Sequence, residues 1–452
     1  MTAFVVISST IIIFFLSGLL PGPREWRRSA FRKPAMAFLI LAALLSVFLG
    51  QPRGVHAIIA SPVDSVRLVR IVFLTVLTII SVIGVIRNLG KKISSGPGIK
   101  WMLGYGVFAM FSAVYSSIPL LTLWKGFEVL AMACVGLYIG IKIRSEDDLQ
   151  DVINIILLGL WLIIISALVG ATVVPSEAFT KMQSREKMAF ALQGVYPFVN
   201  ANTLSQISGM IAACALAWMV KPKRTYGITG PLIIFLTSIT CLILAHSRTS
   251  IIAFLLTTAL LMFVFRKRVL LFGVLWLGAI LALSGTVMQY FLPYFIRGQK
   301  TAVLTSLSGR TTFWPEVIKK IGDAPFLGSG FYASQRIIWD ISSVDNTYLE
   351  TILGLGIIGA ILLCVPVLSI ASNLWTTRPW KTGLTLTIPS RFIWMQLCIF
   401  FIFLFVRSLT GPSFQNLHIN LVIFVILLVA SFRLQIMFTQ KRMETTGSNA
   451  GL

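Results

Sequence analysis

Ionisable side chains that could carry out chemistry are concentrated in one polar stretch of a chain that otherwise avoids charge. The stretch runs from Tyr290 to Asp345 and re-enters apolar sequence as Ser343-Val344-Asp345-Asn346-Thr347-Tyr348-Leu349-Glu350. Its charged residues include Arg297, Lys300, Arg310, Glu316, Lys319, Lys320, Asp323, Arg336 and Asp340. Arginine can bind phosphate oxygens through paired hydrogen bonds, and a carboxylate can accept a proton. We therefore expect any chemistry to take place in this stretch.

The remaining sequence has the composition of a membrane protein. Of 452 residues, 57% are hydrophobic and only 12% are charged, which is more apolar surface than a soluble core of this size could bury. Apolar runs of membrane-crossing length recur, without the alternation of a membrane barrel. They predict an all-α, polytopic integral membrane protein with about 12–13 transmembrane helices. The runs are Ala3 to Leu20, Pro34 to Leu49, Val69 to Ile86, Trp101 to Tyr115, Leu120 to Ile141, Val152 to Val173, Asn202 to Val220, Gly230 to His246, Ser250 to Phe265, Val269 to Tyr290, Thr347 to Ile370, Phe392 to Leu409 and Leu417 to Phe432.

Lysine and arginine near the ends of these runs are concentrated in alternate loops, which are therefore expected to be cytoplasmic. This bias predicts an external N-terminus, a cytoplasmic C-terminus and an extracytoplasmic loop over residues 290–345. We expect residues 1–440 to form a single transmembrane domain that contains this loop, and residues 441–452 to form a disordered cytoplasmic tail.

Within the loop, Arg310 to Ile321 is predicted to be a short amphipathic helix. Pro315 is tolerated in its first turn, and Gly322 is suited to ending it. The apolar side of this helix is expected to lie along the membrane surface.

Other candidate residues share the external face with the long loop. Arg185 belongs to the loop Val174 to Asn202, and Arg248 lies in a turn too short to take its guanidinium far from the membrane. Arg248 either contacts a substrate or snorkels to lipid phosphate. Lys125 and Glu128 are three residues apart and can pair on one helix face, where they either neutralise each other or contact a substrate.

Several other functions are not favoured by the sequence. Basic residues between membrane spans are first a topology signal, so the net charge of +23 does not argue for nucleic acid. The histidines are scattered and the 5 cysteines lie singly in apolar runs, so no metal site or cofactor is predicted. Gly328-Ser329-Gly330 is expected to be a turn, because no strand precedes it.

A series of short motifs resembles the O-antigen ligase and Wzy-type polymerase superfamily. The motifs are Ser247-Arg248-Thr249, Gly309-Arg310-Thr311-Thr312-Phe313-Trp314, Gly328-Ser329-Gly330 and Asp345-Asn346-Thr347-Tyr348-Leu349-Glu350, followed by Gly354, Gly356 and Gly359. Their order and spacing are similar to the long external loop and flanking spans of that family. Beyond Ala245 to Gly359, only the hydropathy profile is similar.

The resemblance implies glycosyl transfer at the outer face of a bacterial inner membrane. The donor would be an undecaprenyl-diphosphate-linked oligosaccharide, and the two arginines of the family would be Arg248 and Arg310. We expect substrate contacts from Asn346, Tyr348 and Glu350 in the last motif and, outside the region of resemblance, from Lys125, Glu128 and Arg185 on the external face. Where ligases carry a histidine before the asparagine, this chain has Asp345, which favours a polysaccharide polymerase over transfer to lipid A-core.

The residue types are consistent with this chemistry. A diphosphate is an activated leaving group, so arginines that stabilise its departing charge suffice without a metal or nucleotide. The acceptor hydroxyl needs a base, for which Asp345 is the candidate. Alternatively, Asp345 helps to start the following helix, in which Thr347 and Glu350 have capping-box spacing.

Two rival functions use the same sequence features. An O-antigen ligase would transfer the glycan to lipid A-core, and a lipid-linked glycan transporter or flippase would move it across the membrane. Transporters tend to place charges and broken helices near the membrane midplane in two related halves, which this sequence does not show. Expected partners are the lipid-linked glycan, membrane lipids, and a chain-length regulator or flippase of the same pathway.

Overall fold

The structure is a computed structural model of the chain, and it describes most of its predicted spans. The described residues are 28–30, 32–49, 54–61, 63–88, 96–181, 190–220, 229–265, 310–339, 341, 343–379, 388–414 and 417–449. Their helices are α1 (Pro34–Ser46), α2 (Val55–Ala60), α3 (Ser65–Ile86), α4 (Pro97–Phe111), α5 (Pro119–Lys142), α6 (Glu146–Val173), α7 (Pro175–Ala178), α8 (Ala201–Val220), α9 (Thr229–Leu244), α10 (Arg248–Val264), α11 (Arg310–Ile321), α12 (Ser334–Trp339), α13 (Thr347–Thr376), α14 (Ile388–Thr410) and α15 (Ile419–Asn449). The two short strands are β1 (Phe179–Lys181) and β2 (Phe190–Leu192).

The fold is that of an all-α, multi-pass membrane protein. Within the described part of the chain, 7 helices are long and apolar enough to cross a membrane: α3, α5, α6, α8, α13, α14 and α15. Helices α1, α9 and α10 are apolar but shorter. All the predicted apolar segments coincide with described helices except Ala3 to Leu20 and Val269 to Tyr290, which lie outside the described residues.

The chain divides into two compact units, one of Met1–Arg24 and Leu157–Phe313 and one of Glu25–Ile156 and Trp314–Leu452. In the first unit, α8 packs against α9 and α10. The strands β1 and β2 pair antiparallel, with Phe179 opposite Leu192, and β2 contacts α8 and α9.

In the second unit, α5 packs against α3, α4 and α15, and α13 packs against α4, α14 and α15. Glycines bring α4 and α5 close together, as small residues do in membrane helix pairs. A Cβ atom at Gly106 would lie 2.9 Å from the backbone of Leu130, and one at Gly126 would lie 2.5 Å from the backbone of Met110.

Helix α13 is broken at Gly356, whose φ of 62° and ψ of −163° are not helical. The segment 325–330 supplies hydrogen bonds at the break. The N–H groups of Ser329 and Gly330 donate to the carbonyls of Leu353 and Gly354 at 3.0 Å, and the N–H of Ile357 donates to the carbonyl of Pro325 at 2.8 Å. The backbone groups freed by the break are therefore satisfied by protein, as an apolar environment requires.

The predicted turn and the short predicted helix are both present. Gly328 and Gly330 have positive φ, and Gly322 follows the last residue of α11. The apolar side of α11 does not simply face a membrane, however. Val317 is fully buried and the indole N–H of Trp314 donates to the carbonyl of Val344 at 3.2 Å, so part of this side packs on protein.

Residues 441–449 of the predicted tail belong to a described helix, and residues 450–452 lie outside the described residues. Helix α15 continues through Asn449, because extending an existing helix costs less than starting a new one.

Candidate functional site

Asp345 lies at the entrance to α13 in a left-handed backbone conformation, with φ of 58°. Residues other than glycine rarely adopt this conformation, although aspartate and asparagine tolerate it better than most. Both hydrogen-bonding groups of the preceding peptide unit are engaged. The carbonyl of Val344 accepts from Trp314, and the N–H of Asp345 donates to the hydroxyl of Ser343 at 2.9 Å.

Asn346, not Asp345, caps α13. The Oδ1 atom of Asn346 accepts hydrogen bonds from the N–H groups of Tyr348 at 3.0 Å and Leu349 at 3.1 Å. Its Nδ2 atom donates to the carbonyl of Leu409 at 3.2 Å. Asn346 was predicted to bind substrate, and in the structure its amide is used by the helix cap and by the end of α14.

The capping box expected from Thr347 and Glu350 is not formed. The hydroxyl of Thr347 donates to the carbonyl of Gly411 at 2.8 Å and accepts from the N–H of Ser413 at 2.9 Å. The spacing of Thr347 and Glu350 suits a capping box, but the threonine hydroxyl instead bonds to the backbone of the segment after α14.

Tyr348 is half-buried and faces α14. Its phenolic oxygen accepts a hydrogen bond from the hydroxyl of Ser408 at 3.2 Å. The candidate substrate residues Asn346 and Tyr348 therefore both hold the first turn of α13 against the end of α14.

The carboxylate of Glu350 is buried and accepts two side-chain hydrogen bonds. The amide of Gln335, on α12, donates to Oε1 at 2.5 Å, and the hydroxyl of Ser343 donates to Oε2 at 3.1 Å. Glu350 is thus connected to Asp345 through a single serine hydroxyl.

Glu128 is entirely buried and binds two cations, one on its own helix α5 and one on the neighbouring helix α3. Lys125 Nζ lies 2.9 Å from Oε2, and Arg70 Nη2, from α3, lies 3.1 Å from Oε1. The N–H of Leu417 also donates to Oε2 at 3.0 Å, and the carbonyl of Leu417 accepts from Arg70 at 3.3 Å. The ion pair that the spacing of Lys125 and Glu128 allowed is therefore formed, and it anchors the start of α15.

Lys125 and Arg336 both make cation–π contacts with the ring of Tyr332. Lys125 Nζ lies 5.0 Å from the centroid of the Tyr332 ring, and the Arg336 guanidinium carbon lies 3.7 Å from the same centroid. Both distances are within the range of cation–π attraction. Arg336 is buried, and it donates to the carbonyl of Tyr332 at 2.5 Å.

In the first unit, both candidate arginines are the first residue of a helix. Arg248 begins α10 after the left-handed residue His246, and it is half-buried. Arg310 is the first residue of α11, and the structure describes its backbone but not its side chain. The free N–H groups of a first helical turn favour an anion, so an arginine at this position adds its charge to an already positive site.

Arg185 is the remaining candidate substrate residue from the sequence. It lies outside the described residues. Among the side chains that the structure describes, no group of three or more histidines, cysteines, aspartates or glutamates could hold a metal ion.

Sequence reasoning did not identify four side chains that contact the candidate residues: Arg70, Trp314, Gln335 and Ser343. An available signal for Arg70 was its charge within an apolar run, where a buried partner is expected. Trp314 was part of a quoted motif without an assigned role, and Ser343 stands two residues before Asp345, a spacing at which a serine hydroxyl often accepts a backbone N–H. Gln335 had no local signal.

Comparison with known proteins supports the resemblance seen in the sequence. Residues 232–364 match the family model described as O-antigen ligase. This match covers α10, α11, α12, the entrance to α13 and its break, and it supports O-antigen ligase or polymerase activity in general. A search of curated proteins finds no match.

Proposed function

We propose that this chain is a metal-independent glycosyltransferase of a bacterial inner membrane. The proposal starts from the family model that residues 232–364 match. The chain would polymerise an undecaprenyl-diphosphate-linked oligosaccharide at the outer face, in O-antigen or exopolysaccharide synthesis. The observation that carries the proposal is the position of Asp345, a carboxylate that does not cap α13 and whose preceding peptide unit is fixed on both sides.

Arg248 and Arg310 hold the donor diphosphate in this proposal. Each guanidinium can make two parallel hydrogen bonds to phosphate oxygens, and the helix start beside it adds N–H donors. These groups stabilise the negative charge that develops as the bond between the sugar anomeric carbon and the diphosphate oxygen breaks.

Asp345 acts as the general base. Its carboxylate accepts the proton of the acceptor hydroxyl while that oxygen forms the new bond to the anomeric carbon. The undecaprenyl diphosphate leaves with the electron pair of the broken bond, so atoms and charge balance without a further reactant.

The acceptor distinguishes the two closest functions. A polymerase uses a second lipid-linked glycan, whereas a ligase uses lipid A-core. The resemblance associates ligases with a histidine at the position of Asp345, and for this reason we place polymerisation first. A flippase and a chain-length regulator are the partners that a polymerase would need.

The test is reconstitution of the purified chain in liposomes with a lipid-linked repeat unit, with and without lipid A-core and a metal chelator. A ladder of polymer lengths that survives chelation supports the proposal. Product only in the presence of lipid A-core identifies a ligase, and no glycan transfer with either acceptor contradicts both assignments.

A lipid-linked glycan transporter is a second candidate because α13 is broken at Gly356. Broken helices commonly form the binding sites of transporters. In the same liposomes, a transporter would move labelled donor from one leaflet to the other without forming a glycosidic bond.

A further inference from the structure

We propose that Trp314 and Ser343 are positioning residues that hold the carboxylate of Asp345 for catalysis, with Glu350 and Gln335 supporting Ser343. The inference rests on the proposed function, because it gives Asp345 the role of base. It changes the expected role of Glu350 from substrate binding to positioning.

The peptide unit between Val344 and Asp345 is held from opposite sides. In a trans peptide the carbonyl oxygen and the N–H point in opposite directions. Here the indole N–H of Trp314 binds the oxygen at 3.2 Å, and the hydroxyl of Ser343 binds the N–H at 2.9 Å. The two bonds together resist rotation of the peptide plane.

The hydroxyl of Ser343 is itself oriented by Glu350. A serine hydroxyl has one proton, and here it is donated to Glu350 Oε2 at 3.1 Å, so a lone pair remains for the N–H of Asp345. Gln335 donates to the other oxygen of Glu350 at 2.5 Å, which keeps the carboxylate facing Ser343. This chain of contacts lies among buried or half-buried residues.

The orientation of this peptide plane matters because Asp345 has a left-handed backbone, with φ of 58°. Without the two bonds, the plane can rotate and the residue can return to an extended conformation, which is more favourable for an L-residue. That change would move the Cβ atom and its carboxylate away from the acceptor hydroxyl. A displacement of about 1 Å can reduce a catalysed rate by up to about 100-fold.

The first experiment measures glycan transfer by Trp314→Phe and Ser343→Ala in liposomes. Each variant removes one bond to the peptide unit, and each is expected to lower kcat by about tenfold or more with little change in KM. Matched controls are Trp101→Phe, at an exposed tryptophan on α4, and Ser61→Ala, at an exposed serine beyond α2. Both controls should keep normal kcat.

One further variant, together with Trp314→Phe, separates positioning from simple loss of structure. Ser343→Thr keeps a hydroxyl and should recover most of the activity lost in Ser343→Ala. Trp314→Phe keeps an aromatic ring, so it remains informative if Ser343→Ala does not fold. A thermal unfolding measurement in detergent identifies any variant whose loss of activity follows from instability.

The deciding experiment combines each substitution with Asp345→Asn. If Trp314 and Ser343 act through the carboxylate, neither substitution should reduce activity further once the carboxylate is absent. Independent, multiplying losses would overturn the positioning role.

The failures of the two proposals are distinguishable. If Asp345→Asn loses activity while Trp314→Phe and Ser343→Ala keep normal kcat, the positioning role is wrong and the assignment of the base stands. If Asp345→Asn itself keeps normal activity, both the base and its positioning are wrong.

Discussion

Lys125 Nζ lies 2.9 Å from Glu128 Oε2 on the same face of α5, and the Glu128 side chain is entirely buried. A buried ion pair responds to the loss of a partner more strongly than a surface pair of the same spacing. The buried carboxylate is not hydrated, so its charge is stabilised only by donors from the protein. In addition to Lys125, these donors are Arg70 and the N–H of Leu417, so Glu128 connects α3, α5 and the start of α15.

The first prediction concerns the stability of this site. Glu128→Gln should lower the free energy of unfolding by about 3 kcal/mol, because it leaves Arg70 and Lys125 without their shared carboxylate. The matched control is Lys320→Met, which breaks the exposed Lys320 to Asp323 pair of the same spacing and should cost less than about 1 kcal/mol. Thermal unfolding in detergent measures both, and equal shifts would show that burial does not matter here.

The second prediction concerns the side of the membrane on which the long loop lies. Cysteine in place of Asp323, whose side chain is 61% exposed, should react with an impermeant thiol reagent in intact spheroplasts. Cysteine in place of Met443, 63% exposed on α15, should react only after lysis. Labelling is measured against the parent chain, whose cysteines are buried or half-buried. The opposite pattern would reverse the topology and remove the basis for an external active site.

The third prediction separates charge from geometry at Arg248. Arg248→Lys keeps the positive charge but loses the planar pair of donors, so transfer from the lipid-linked donor should fall by about 100-fold while insertion is unchanged. Arg310→Lys should behave in the same way. Arg87→Lys, at the end of α3, is the control and should have normal activity. Normal rates in both Arg248→Lys and Arg310→Lys would leave simple lipid anchoring as the sufficient explanation.

The fourth prediction uses the left-handed backbone of Asp345. Asparagine tolerates this conformation but is a far weaker base than aspartate. The Asp345→Asn variant should therefore keep normal thermal stability while losing most polymer formation. Asp345→Val removes the same carboxylate but should also lose about 1–2 kcal/mol of stability through backbone strain. Asp345→His should recover part of the activity as a ligase-like base. Normal product length and yield from the asparagine variant would exclude Asp345 as the base.

The fifth prediction concerns the break in α13. A Cβ atom at Gly356 would lie 2.2 Å from the backbone of Phe326, and the φ of 62° is unfavourable for alanine. Gly356→Ala should therefore destabilise the chain by about 3 kcal/mol. Gly104→Ala on α4 is the control, because its Cβ would have only an ordinary contact of 3.7 Å with Leu362. Equal unfolding temperatures for the two variants would show that the break is dispensable.

The sequence by itself determined the class of fold and most of its helices. Hydropathy is a local property of each segment, and a segment that is apolar over membrane-crossing length has to satisfy its backbone internally, which a helix does. The helix over Arg310 to Ile321 and the turn at Gly328 and Gly330 were predictable for the same reason, since their signals lie in adjacent residues. Helical spacing alone showed that Lys125 and Glu128 could pair, and the structure forms that pair.

Only the tertiary structure decided which polar groups meet around the candidate site. Local spacing favoured a capping box between Thr347 and Glu350, but Gly411 and Ser413 bind the threonine, while Gln335 and Ser343 bind the glutamate. A buried polar group takes whichever partner the packed helices bring within reach, because leaving it unpaired costs more than giving up a local bond. Partners from distant parts of the chain, such as Trp314 for Val344, leave no signal in the local sequence. For this reason the contacts of the candidate site could be identified only from the tertiary structure.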